Sequence, residues 1–107
     1  MDYWDAVDLW VHPGWRYFRD AMARERCWYF SAHAERSLWD VSIPDGSCLV
    51  FGNESFGLPG RIVEKHPERL LRIPMTGPVR SLNLATAVGI ALFDVLKGSA
   101  IPAPRRV

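Results

Sequence analysis

Serine, histidine and cysteine are the side chains that could run covalent chemistry in this chain, and their spacing does not assemble them. A hydrolase needs a nucleophile beside a base. Ser31, Ser55 and Ser81 are available, with His12, His33 and His66 as the only histidines. No G-x-S-x-G elbow occurs. His33 sits in a polar run, 31–36, with no His, Cys or carboxylate partner at ligand spacing, and reads as an exposed loop histidine. Cys27 and Cys48 fall inside apolar runs at a spacing that matches no metal motif. They read as two buried thiols in a reducing compartment, and no metal site is expected. What remains is a set of glycines, backbone polar groups and apolar strand ends, with Glu54, Ser81 and Asn83 as the polar side chains. That inventory suits holding an adenosine-type cofactor through main-chain hydrogen bonds and apolar walls.

The elements that must position these residues can be read from the apolar pattern. Residues 47–51 form a continuous apolar run that empties into a turn carrying Gly52, Gly57 and Gly60. Glycines just after a strand let the backbone approach a ligand closely. A helix over 60–66 follows, with Pro59 suited to its first turn and Pro67 closing it. Residues 69–74 predict another strand, 76–78 a loop, and 82–97 a long helix with Ser81 as its cap and Gly98 as its terminator. This last helix is apolar nearly all round, so it is expected to be buried against more than one layer. Asn83, Thr86 and Gly89 step by three along it and make a narrow stripe suited to close approach. Two consecutive strand-loop-helix units place their loops at one edge of a sheet, where α/β proteins bind ligands. None of the three histidines is expected at that edge. Neither G-x-G-x-x-G nor G-x-x-x-x-G-K-[ST] is present, so no nucleotide fingerprint applies.

Upstream, residues 7–11 alternate enough to predict a short strand, and 12–14 a turn. Trp15, Phe18, Ala21 and Met22 recur at helical spacing and predict an amphipathic helix over 15–25, its arginines on a solvated face. Residues 27–31 read as a strand covered on both faces, 37–41 as a turn of helix, and 43–46 as a turn. Strand-helix alternation throughout predicts an α/β fold with a mostly parallel sheet and flanking helices.

Bulk composition agrees. The chain has 107 residues, 49% hydrophobic and 23% charged, with net charge +1. It is one globular domain at most, rich in aromatic area to bury. A nucleic-acid partner would have to be met by a local patch, since global charge offers no attraction. No signal peptide and no membrane-length apolar stretch is legible, so a cytoplasmic protein without a membrane partner is the expectation.

The run 49–58 (LVFGNESFGL) resembles the second motif of the SPOUT class of tRNA/rRNA 2′-O-ribose methyltransferases. Residues 73–75 (IPM) together with 81–92 (SLNLATAVGIAL) resemble their third motif, at fitting spacing. Within the class, the small enzymes that methylate the wobble ribose of tRNA are the most similar, and the likeness runs from Met1 to about Gly98. The resemblance implies an α/β trefoil-knot domain over 1–98 with a flexible tail, 99–107. It implies S-adenosylmethionine as cofactor, tRNA as substrate and a homodimer. Carried over by position, Phe30, Gly52, Gly57, Ile73 and Ser81 would contact the cofactor, and Met75 and Leu82 would line the adenine pocket. Glu54 and Asn83 would organise the loops and the ribose, and Arg80 is at best a contact to substrate phosphate. The class also has a first motif, an N-terminal strand and helix that supply an Asn and the Arg proposed to activate the ribose hydroxyl. That motif has no counterpart here, so the fold is expected to be N-terminally truncated and no catalytic residue is assigned. Two functions follow as expectations: an S-adenosylmethionine-dependent tRNA wobble ribose 2′-O-methyltransferase or its cofactor-binding part, or a non-catalytic truncated module that binds cofactor or pairs with a complete subunit.

Overall fold

The structure, a computed structural model, describes residues 7–53, 56–75 and 83–97. Three strands make one parallel sheet: β1 (Cys27–Phe30), β2 (Cys48–Phe51) and β3 (Leu70–Leu71), in the spatial order β2-β1-β3. Three helices surround it: α1 (Trp15–Ala21), α2 (Gly60–Lys65) and α3 (Leu84–Leu96). The expected α/β class and parallel pairing are therefore present. Single 3-10 turns cover Arg24–Arg26, Leu38–Asp40 and Pro67–Arg69.

Side chains alternate across a strand, and the two faces of this sheet carry separate cores. Cys27 and Tyr29 of β1 and Leu70 of β3 meet Ile62 of α2, flanked by Trp15 and Phe18 of α1. Phe30 and Leu71 point the other way and meet Leu38 and Ala91 of α3. Because both faces are covered, the strands read as unbroken apolar runs rather than alternating ones. Leu71 and Ala91 are fully buried. On the first face Cys27 and Cys48 are register partners on neighbouring strands, and both thiols are free. Burial pushes the Cys27 thiol above its ordinary value and does the same to Cys48 and to the Tyr29 phenol.

Several expectations change. Residues 7–11 form no strand, and Val7, Leu9, Trp10 and Val11 are exposed. Alternation makes a strand only where a neighbour supplies the ladder, and the sheet offers this segment none. α1 stops at Ala21, four residues early, because Met22 turns extended. β3 is two residues long rather than six. β1 ends at Phe30, and beyond Leu71 the chain pairs instead with the 36–38 segment, Arg72 donating to the Arg36 carbonyl at 2.9 Å and accepting from Leu38 at 2.9 Å. Pro59 sits at the N-cap of α2, not inside its first turn.

The long helix differs most. α3 begins at Leu84, and its cap is Asn83, whose Oδ1 accepts from the Ala85 and Thr86 amides at 2.9 and 3.4 Å. Asparagine is among the strongest N-caps, so it takes the role expected of Ser81, which lies outside the described residues. Only Ala91 of this helix is buried, and Ile90, Leu92 and Phe93 are exposed, Phe93 by 76%. The expected burial against two layers is not met within this chain. Among the described residues nothing lies within 4 Å of a Cβ built on Gly89, so at this position the small-residue stripe meets no close neighbour among them. The expected tail, 99–107, and the Gly98 terminator lie outside the described residues.

Candidate functional site

Parallel strands end at one edge, and here they end in register. Phe30 pairs with Phe51 on one side and with Leu71 on the other. The Phe30 and Phe51 rings stack, with centroids 4.7 Å apart and planes 9° from parallel. Each strand then hands the chain to a loop at this edge, and the loops enclose a cavity of about 700 Å³. That lies within the roughly 300–1,000 Å³ typical of small-molecule sites.

The loop after β2 is a closed turn. The Asn53 amide donates to the Gly57 carbonyl at 3.1 Å, and the Gly57 amide donates back to the Asn53 carbonyl at 2.8 Å. Gly57 has φ +68°, the left-handed region that glycine enters without steric cost. Closing the turn folds its return arm directly onto Gly52. A Cβ built at Gly52 would lie 2.6 Å from the Gly57 oxygen, and nearer still to the Gly57 carbonyl carbon and the Leu58 nitrogen. Glycine is needed at 52 for backbone packing and at 57 for dihedral freedom, two different reasons within one motif.

The loop after β1 is anchored by the Ser31 amide on the Leu71 carbonyl at 2.9 Å. It bends where the Ala34 amide meets the Ser31 carbonyl and the His33 amide meets Ser31 Oγ, both at 3.2 Å. The loop after β3 brings Ile73 and Met75, and α3 contributes Asn83 and Leu84.

Of the residues singled out from sequence, Phe30, Gly52, Gly57, Ile73, Met75 and Asn83 all border this one cavity. Glu54, Ser81, Leu82 and Arg80 lie outside the described residues. Among the lining residues that the sequence reading passed over, His33 and Phe56 carry the most chemistry. His33 borders the cavity, contrary to the expectation that no histidine reaches this edge. It is the ionisable side chain among the described lining residues. The signal was available: His33 follows the end of β1 by three residues, and the loop after any parallel strand arrives at the same edge. Phe56 was passed over as one apolar letter in a glycine turn, yet it borders the cavity and is 88% exposed.

The walls fit a nucleoside-like ligand in kind: aromatic and aliphatic surfaces from Phe30, Ile73, Met75 and Leu84, a few polar groups, and backbone brought close by the glycine turn. Among the described residues, no group of three or more His, Cys, Asp or Glu is placed to hold a metal ion. No helix there is long and apolar enough to cross a membrane.

Comparison with known proteins agrees with the geometry. Residues 1–93 match the model of the SpoU rRNA Methylase family. A tRNA (cytidine(34)-2′-O)-methyltransferase of Saccharophagus degradans is 36% identical over 95 residues, which are 88% of this chain and 62% of that protein. A solved structure concerned with 2-OH methylation of C/U34 on tRNA superposes with a TM-score of 0.83 at 45% identity, covering 91% of this chain and 60% of the other. An AdoMet-bound rRNA methyltransferase from Sinorhizobium meliloti superposes with a TM-score of 0.61 at 30% identity, covering 77% of this chain and 31% of that one. The chain spans about three-fifths of the length of the tRNA methyltransferases it resembles. With the family model running from the first residue through most of α3, and the motifs it covers gathered around one cavity, the chain belongs to the SpoU rRNA methylase family.

Proposed function

We propose that the cavity at the C-terminal edge of the sheet binds S-adenosylmethionine, and that the chain is the cofactor-binding part of a tRNA ribose 2′-O-methyltransferase acting at the wobble position. The observation that carries this is the convergence of Phe30, Gly52, Ile73 and Met75, from three separate strand ends, on one cavity. The AdoMet-bound relative supports the cofactor, and the relatives named for position 34 of tRNA support the substrate.

When bound, S-adenosylmethionine supplies the methyl group. The chain's own residues bind and orient. Phe30, Ile73 and Met75, with Leu82, hold the adenine by apolar contact. The closed Gly52–Gly57 turn brings backbone polar groups to the ribose side. Asn83 fixes the start of α3, and so the wall that Leu84 and Ala87 present to the cavity. Ser81 is proposed as a further cofactor contact, and Glu54 as support for the ribose substrate. Holding donor and acceptor in line is the main contribution such a scaffold makes to the rate. Arg80 meets a phosphate of the RNA.

We also propose a trefoil knot, in which the last helix threads back through a loop, within a domain over 1–98; membership of the family supports it. The exposed Ile90, Leu92 and Phe93 support a homodimer that covers α3. Calorimetric titration with S-adenosylmethionine tests the cofactor reading, which is lost if no heat appears at millimolar protein and ligand. Transfer of labelled methyl to tRNA, with the modified nucleotide mapped, tests the substrate.

A further inference from the structure

The proposed site accounts for the cavity walls but not for Phe56. Its large aromatic ring is 88% exposed in the turn after β2, and so is free to meet a ligand. The turn gives the ring a fixed base. Reciprocal Asn53–Gly57 backbone bonds close it, the Phe56 amide reaches Asn53 Oδ1 at 3.4 Å, and Gly52 lets the return arm pack down. Phe56 borders both the proposed cofactor cavity and a second hollow of about 530 Å³, which Trp15, Val50 and Ile62 also line. An exposed ring thus adjoins the site. Four residues on, α2 begins, and it carries an exposed cation, Arg61, one residue further along.

A nucleotide that has left the stack of its neighbours can bring its ribose deepest toward a donor held in a cavity. Proteins that take unstacked bases of single-stranded RNA receive them on aromatic rings. We propose that Phe56 is the platform on which an unpaired nucleobase of the RNA stacks while its ribose faces the cavity. The inference rests on the cofactor reading for the position of the reacting group. It concerns a different ligand, so the two can fail separately.

The test uses the full chain and its Phe56→Ala, Phe56→Leu and Phe56→Trp variants. A fluorescein-labelled RNA stem-loop with an unpaired loop is followed by anisotropy, and S-adenosylhomocysteine by calorimetry. Phe56 is exposed, so the variants keep the wild-type fold, which circular dichroism checks. Phe56→Ala weakens RNA binding by about 5- to 100-fold, the range for losing one stacked base. Phe56→Leu falls with it, having apolar area but no π-face. Phe56→Trp retains or tightens binding. S-adenosylhomocysteine affinity falls much less than RNA affinity in Phe56→Ala and Phe56→Leu. Equal RNA affinity of wild type and Phe56→Ala overturns the inference, as does a wild type that does not bind the RNA. Leucine matching phenylalanine reduces the contact to plain apolar burial. Loss of S-adenosylhomocysteine affinity in Phe56→Ala assigns the ring to the cofactor adenine instead. A drop in mass by sedimentation assigns it to a second copy of the chain. Each of those three outcomes also overturns it.

Discussion

Substituting Gly52 by alanine adds one methyl group where the return arm of the turn already lies. The new Cβ would sit 2.6 Å from the Gly57 oxygen, and closer to two further backbone atoms. Backbone cannot swing aside as a side-chain tip can, so the turn must open. Opening it breaks the reciprocal Asn53–Gly57 pair, two hydrogen bonds at 3.1 and 2.8 Å. At a net of about 1 kcal/mol each, that comes to about 2 kcal/mol, within the 1–3 kcal/mol usual for overpacking. Gly57→Ala is the natural control. No described residue lies within 4 Å of its added Cβ, and the cost expected there is that of the φ of +68°, about 1–2 kcal/mol for an L-residue in the left-handed region. Gly57→Asn should recover part of that, since asparagine tolerates this region. Urea unfolding reads the difference: Gly52→Ala lowers the midpoint by about 1 M, for a slope of roughly 2 kcal/mol/M. Calorimetry on the same samples should show S-adenosylmethionine binding at least tenfold weaker in Gly52→Ala, because the displaced arm is a cavity wall. A Gly52→Ala protein within 0.5 kcal/mol of wild type, or one less damaged than Gly57→Ala, would refute the close approach on which the site's geometry depends.

Asn83→Ala removes the side-chain cap of α3 and costs about 1 kcal/mol, while Asn83→Ser or Asn83→Asp retains most of it. A thermal melt in which the alanine variant matches wild type would return the cap to another residue. Burial keeps Cys27, Cys48 and Tyr29 protonated to higher pH than in the unfolded chain. Above the ordinary thiol value of 9.0 the unfolded chain therefore binds fewer protons than the folded one. Stability is full below that pH and declines as pH rises. The urea midpoint should drop as pH rises above 9, and the slope of that drop should flatten in Cys27→Ala, whatever the variant's overall stability. A wild-type midpoint flat above that pH would contradict the burial described.

The legible parts of the site were those with local causes. Gly52 and Gly57 stand in a turn directly after an apolar run, and Pro59 and Pro67 bracket α2. Each is a short-range constraint on backbone dihedrals or hydrogen bonds. Cavity residues with no such mark were missed. His33 and Phe56 reach the cavity because parallel strands end in register, and register is a pairing between segments twenty or more residues apart. The same distinction explains the false strand at 7–11, whose alternation is real but has no partner. It explains the shortened β3 as well, whose apolar run outlasts the strand beside it.

The amino-acid sequence by itself determined the α/β class, the two strand-loop-helix units and the family motifs, because periodicity, turn residues and motif spacing are properties of the chain read along its length. Tertiary structure alone decided which loops share a cavity, that Cys27 faces Cys48, and that α3, apolar on every side, buries only Ala91 in this chain. Burial is a property of what lies opposite a residue. An apolar letter records that a residue can be covered, and only packing decides whether it is.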